Sequence, residues 1–107
     1  MMKIIDIGHR KLSVDDAISE LEATVSQAHH SGQATVIKVI HGHGTGALKR
    51  AVRNWCHEQT GRFQSVIHGE DYDLFHPESA AMRRACEHPD DPDLGRNNGA
   101  VTYIWLW

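Results

Sequence analysis

The segment His41-Gly42-His43-Gly44-Thr45-Gly46 sets three glycines and two imidazoles in six residues, and Lys49, Arg50 and Arg53 follow it closely. Glycines let a ligand approach the backbone, and amides at the start of a helix point toward an anion. Added to those three cations, this is phosphate chemistry. The plain alternative is a tight strand-to-helix turn that needs positive φ, followed by an ordinary solvated helix face.

Two nucleotide-binding fingerprints bear on the same segment. Gly42-x-Gly44-x-x-Ala47 satisfies the dinucleotide pattern, and Glu70 falls at the end of the next strand, where a ribose ligand belongs. The pattern follows the second strand, however, and only two strands remain after it, where a dinucleotide fold wants about six. A Walker A loop fails because no Gly-Lys-Ser or Gly-Lys-Thr is present. Nine histidines raise the question of metal, but His41-x-His43, Cys56-His57 and Cys86-x-His88 lack zinc-ribbon or zinc-finger spacing. His29, His30, His68, His76 and His88 read as surface or insertion residues.

The elements that must position the loop are legible from periodicity. Lys3 to Ile7 reads as a first strand. Ser13 with Asp16 three residues later resembles a capping box, and Val14, Ala17, Ile18, Leu21, Val25 and Ala28 form one face of a helix that ends at Gly32. Ala34 to Ile40 reads as a central strand. After the loop, Leu48, Ala51, Val52 and Trp55 recur at helical spacing until Gly61. Arg62 to His68 and Ala100 to Trp107 complete the strands, the last with Val101, Tyr103, Trp105 and Trp107 on one face. Residues 70 to 98 form an insertion: a short helix from Pro77 to Cys86, then an exposed acidic loop through His88-Pro-Asp-Asp-Pro-Asp93. The insertion is expected to act as a lid or contact surface over the aromatic strand. The fold class is α/β, a two-layer sandwich of a four-stranded mixed sheet with two main helices in the order βαβαββ.

A chain of 107 residues suits one domain, 1–107, burying roughly two thirds of its unfolded surface. Eleven Lys and Arg against fourteen Asp and Glu give a net charge of -3, so any nucleic-acid contact must come from a local patch. No apolar run approaches the roughly 20 residues of a membrane span. The N-terminus does not resemble an export signal, so a cytoplasmic location is expected, with Cys56 and Cys86 reduced.

The stretch from Val36 through His41-Gly-His-Gly-Thr-Gly-Ala-Leu48 to Val52 resembles the central motif of the Smr (small MutS-related) domain: an apolar strand, HGxGTGxL, and a basic helix. Asp6, followed by Leu12 to Ala17, resembles the family's opening LDLHG and acidic helix start. Gly99 to Ile104 resembles its closing strand. This chain departs at Asp6-Ile7-Gly8-His9, where the family has Asp-Leu-His-Gly. The resemblance implies a stand-alone Smr domain folded like the C-terminal domain of bacterial translation initiation factor three. It further implies binding of structured or branched DNA or RNA, with endonuclease nicking in several members.

Phosphodiester cleavage requires a base, an acid and positive charge about the phosphorus. His41 or His9, Asp6, and the loop amides with Lys49 can supply these. Asp6, His41 and His9 are therefore the catalytic candidates, and Gly42, His43, Gly44, Thr45, Gly46, Lys49, Arg50 and Arg53 the phosphate-binding ones. A divalent Mg or Mn ion held by Asp6 together with the phosphate is compatible with this set, because a hard cation needs few protein ligands when substrate supplies oxygens. The alternative is a non-catalytic module binding nucleic acid or protein. A homodimer through the C-terminal strand also fits the aromatic face.

Overall fold

The computed structural model describes residues 1–59, 61–87 and 90–107. Helix α1 (Val14–Ser31) starts where the Ser13 hydroxyl accepts the Asp16 amide at 3.1 Å and stops at Gly32, whose φ of 67° releases the chain. It is followed by β2 (Val36–Ile40), α2 (Ala47–Glu58), β3 (Phe63–His68), a 3-10 turn (Gly69–Asp71), α3 (Pro77–Ala85) and β4 (Val101–Leu106), with β1 (Met2–Asp6) ahead of it. The sheet runs β1-β2-β4-β3. β1 and β2 are parallel with Asp6 opposite Ile40, and β4 is antiparallel to both its neighbours. The carboxyl ends of β1, β2 and β3 therefore share one edge.

β4 takes an interior position because Val101 to Ile104 and Leu106 are buried, and only an interior strand covers both of its faces. Both hydrogen-bonding edges of the C-terminal strand are occupied within the chain, and of its aromatic face only Trp107 is exposed, so Trp107 is what that face offers to the expected homodimer contact.

Alternation along the strands builds two cores. On one face Ile37, Val39, Ile104 and Leu106 meet Ala17, Leu21 and Val25 of α1 and Val52 and Cys56 of α2, the expected sandwich. On the other, Val36, Ile67, Val101 and Tyr103 meet Tyr72, Met82 and Cys86 from the insertion, with Tyr72 stacked on Tyr103 at 4.1 Å. The insertion thus covers the second face. The two free cysteines lie in different cores.

The acidic loop is exposed at Asp90 and Pro92 and again from Gly95 to Asn97, as its composition suggests, but not throughout. His88 and Pro89 lie outside the described residues, but the Asp91 side chain is only 3% exposed. Lys38 projects from β2 into the second core, and a buried ammonium persists only when paired. Its Nζ lies 2.7 Å from Asp91 Oδ1 and 2.5 Å from Asp93 Oδ2, while the Tyr103 hydroxyl donates to Asp91 Oδ2 at 2.8 Å. Burial alone would lower the Lys38 pKa; the two carboxylates reverse that and raise it.

Candidate nucleic-acid and phosphate site

The carboxyl ends of β1 and β2 converge. The amides of Ile7 and Gly8 both donate to the Ile40 carbonyl at 3.0 Å. Gly8 lies so close to the next peptide that a Cβ there would sit 2.7 Å from the His41 carbonyl carbon, which explains why a glycine precedes His9 in this chain. The turn is closed by Asp6. Its Oδ1 accepts the amides of Gly8 at 3.0 Å and His9 at 3.2 Å, and its Oδ2 lies 2.8 Å from His9 Nδ1. Partial burial pushes the Asp6 carboxyl up, but the His9 ring and the two amides outweigh it and hold the pKa below the ordinary range. The His9 side chain is 76% exposed. Its Nδ1 is committed to Asp6, and its Nε2 is the free edge. His9, displaced by one position from the family pattern, therefore still pairs with Asp6.

His9 and the glycine loop line one open depression of about 410 Å³. Gly42, Gly44 and Gly46 have φ of 73°, 43° and 86°, values that favour glycine, so the requirement for a positive-φ turn is met at all three. Gly46 is the N-cap of α2 and offers no side-chain acceptor to the helix, while the Thr45 hydroxyl accepts the Ala47 amide at 3.3 Å. Apart from that one contact the start of α2 has no capping side chain at Gly46, which suits an anion. His43 is exposed at the loop tip.

His41 is placed differently from His9. It is 4% exposed, with Nδ1 3.0 Å from the Gly42 carbonyl and Nε2 2.9 Å from Thr102 Oγ1. Arg53 Nε donates to the same Thr102 oxygen at 3.0 Å, so the threonine proton is directed to His41 Nε2 and the histidine proton sits on Nδ1. Burial, reinforced by Arg53 and Lys49 against the opposing Gly42 carbonyl, lowers its pKa and favours the neutral ring. His41 is held as a fixed strut under the loop.

The cations are also sorted by the fold. Arg53 grips Glu70 with both terminal nitrogens, at 3.1 and 2.7 Å, and donates to the Val101 carbonyl; Lys49 Nζ reaches the same carboxylate at 3.2 Å. Arg53, above all, holds the Glu70 carboxyl far below its usual range. Arg50 remains exposed beside Gly46. Thr102 is the site residue that sequence reasoning missed, and Glu70, considered there only as a ribose ligand, instead pairs with the cations of α2. The available signals were a carboxylate just after β3 and a hydroxyl in an otherwise apolar strand. Among the described residues no group of three His, Cys, Asp or Glu side chains forms a metal cage.

Comparison with known proteins agrees with this geometry. The Smr domain model matches residues 7–85. The protein "Endonuclease MutS2" of Caldicellulosiruptor bescii is 35% identical over 68 residues, which are 62% of this chain and 8% of that protein. "Endonuclease MutS2" of Anaeromyxobacter sp. is 40% identical over 45 residues, 42% of this chain and 6% of that protein. The chain thus spans less than a tenth of these curated relatives. The crystal structure of the Smr domain of Thermus thermophilus MutS2 has the same fold, with a TM-score of 0.63 over 98% of each chain at 24% identity.

Proposed function

Since the chain belongs to the Smr domain family, we propose that it binds structured or branched nucleic acid at the glycine loop and nicks a phosphodiester bond there, with His9 moving the proton. The observation that carries this is the pairing of His9 Nδ1 with Asp6 Oδ2 at 2.8 Å on the rim of the loop depression. A carboxylate fixes the tautomer and orientation of the imidazole, leaving Nε2 to take a proton from the attacking nucleophile or return one to the leaving oxygen. Asp6 is then a positioning residue. The loop amides between Gly42 and Gly46, with the side chains of His43, Thr45 and Arg50, hold the phosphate where charge develops, the Gly42 and Gly46 amides themselves being engaged by the Ala100 and His43 carbonyls. His41 positions Gly42, Arg53 braces His41 through Thr102, and Lys49 and Arg53 tie α2 to Glu70. An Mg or Mn ion would have to share Asp6 oxygens already engaged by two amides and His9, held jointly by the substrate phosphate.

The second reading, binding without cleavage, draws on the engagement of both His41 nitrogens inside the protein. Radiolabelled branched DNA, linear DNA and RNA, incubated with and without divalent metal, separate the two. His9→Ala should lower nicking by ~100-fold or more while binding stays within a few-fold, and Asp6→Asn should follow it. Full activity in His9→Ala would move the chemistry to another residue. Binding with no cleavage of any substrate would leave the non-catalytic module.

A further inference from the structure

We infer that the loop from Asp91 to Ala100 carries a second phosphate-binding site, centred on Arg96 and Asn97, which extends the glycine-loop cradle across His43 along a nucleic-acid backbone. This rests on the nucleic-acid reading above and adds to it the direction in which the strand leaves the loop.

His43 is the shared wall. It lines the depression that contains His9, and it also lines a neighbouring open depression of about 450 Å³ bounded by Arg96, Asn97 and Asn98. The two loops are joined by backbone: the amides of His41 and Gly42 both donate to the Ala100 carbonyl at 3.0 Å. A ligand occupying the first depression therefore meets the second at its border.

Charge points the same way. Lys49 and Arg53 share the one carboxylate of Glu70, which offsets half of their charge, and Arg50 beside Gly46 is the exposed cation of the cradle. Arg96 is exposed and, among the described residues, has no carboxylate within ion-pairing distance. Asp93 borders the same depression, and Arg96 helps to hold its carboxyl low without a direct ion pair, but its Oδ2 is held by Lys38 and its Oδ1 by the Asn98 amide at 2.7 Å. Asn97 is exposed with a φ of 51°, a conformation asparagine tolerates at a tight tip, and adds an amide donor next to Arg96.

The loop is rigid enough to be a site. Lys38 fastens Asp91 and Asp93 to the sheet, Leu94 packs on the second core, the Gly95 amide donates to the Tyr72 carbonyl at 2.8 Å, and the Ala100 amide donates to Asn98 Oδ1 at 2.9 Å. Little ordering entropy is left to be lost when a phosphate binds.

The test is a salt titration of binding to a labelled branched DNA by the full chain and by Arg96→Ala, Arg96→Lys and Arg50→Ala. Arg96→Ala should weaken binding about tenfold, the size of one charge-assisted contact, and flatten the plot of log affinity against log salt by about one unit. Arg96→Lys should restore the slope. If Arg50→Ala weakens binding but Arg96→Ala keeps wild-type affinity and slope, the second site is refuted and the glycine-loop reading stands. If the unaltered chain binds no nucleic acid, the glycine-loop reading falls and takes this extension with it.

Discussion

Replacing Lys38 with methionine removes the one cation that two carboxylates share inside the second core. Lys38 is 4% exposed, and the side chains of Asp91 and Asp93 are 3% and 20% exposed. Removing one partner of a buried pair costs about 3–5 kcal/mol, because the remaining charge stays desolvated. Asp91 keeps the Tyr103 hydroxyl and the Asp93 amide, and Asp93 keeps Asn98, so the low end, about 3 kcal/mol, applies. Against a typical total of about 5–15 kcal/mol this is a large share. The pH dependence gives a second handle. In the natural chain burial raises the Asp93 pKa, but Lys38 and Asn98 outweigh it and hold the carboxyl low. That stabilisation is complete above the unfolded carboxylate pKa and is lost as pH falls through the folded one. Without the ammonium, burial dominates and the folded pKa rises above the unfolded value, so protonation favours the folded variant. The deficit of Lys38→Met should therefore be largest near neutral pH and shrink toward about pH 4–5. Urea unfolding followed by tryptophan fluorescence at both pH values measures it. A deficit below about 1 kcal/mol at neutral pH, or one that grows on acidification, would refute this account of the latch.

Glu70→Gln should release Lys49 and Arg53 toward a polyanion, steepening the salt dependence of DNA binding by about one to two units; an unchanged slope would show that both cations stay committed elsewhere. The lowered pKa of His41 means that the unfolded chain binds a proton the folded one resists, so stability should drop as pH falls below about 6.5, and His41→Gln should flatten that limb in urea titrations at successive pH values. Gly8→Ala forces a Cβ against the His41 carbonyl and should cost about 1–3 kcal/mol, with nicking reduced more than binding because Asp6 and His9 shift together; wild-type stability would contradict the close approach. Ser13→Ala should cost about 1 kcal/mol, read from the same unfolding curves.

What local spacing can encode was legible in the sequence. Ser13 and Gly32 mark the ends of α1 because a cap is a contact between residues a few positions apart, and the apolar stripes of α1 and α2 name their buried faces. The three glycines of the loop announce a positive-φ turn at a helix start, which the backbone adopts. Alternation in β4 also told which side chains share a face. Partners across long separations were not legible. Lys38 and Asp91 are 53 residues apart and His41 and Thr102 are 61 apart, so nothing in the spacing of either reveals the other. Tertiary structure alone set β4 between β2 and β3, and with it the burial of His41, the capture of Arg53 by Glu70 and the cover laid by the insertion. It also separated two histidines that look equivalent in sequence: His41 is enclosed by an interior strand, while His9, carried past the end of edge strand β1, keeps one nitrogen on Asp6 and the other toward solvent. Periodicity assigns a residue to a face, but only the packing of distant segments determines whether that face meets water, an apolar core or an opposite charge.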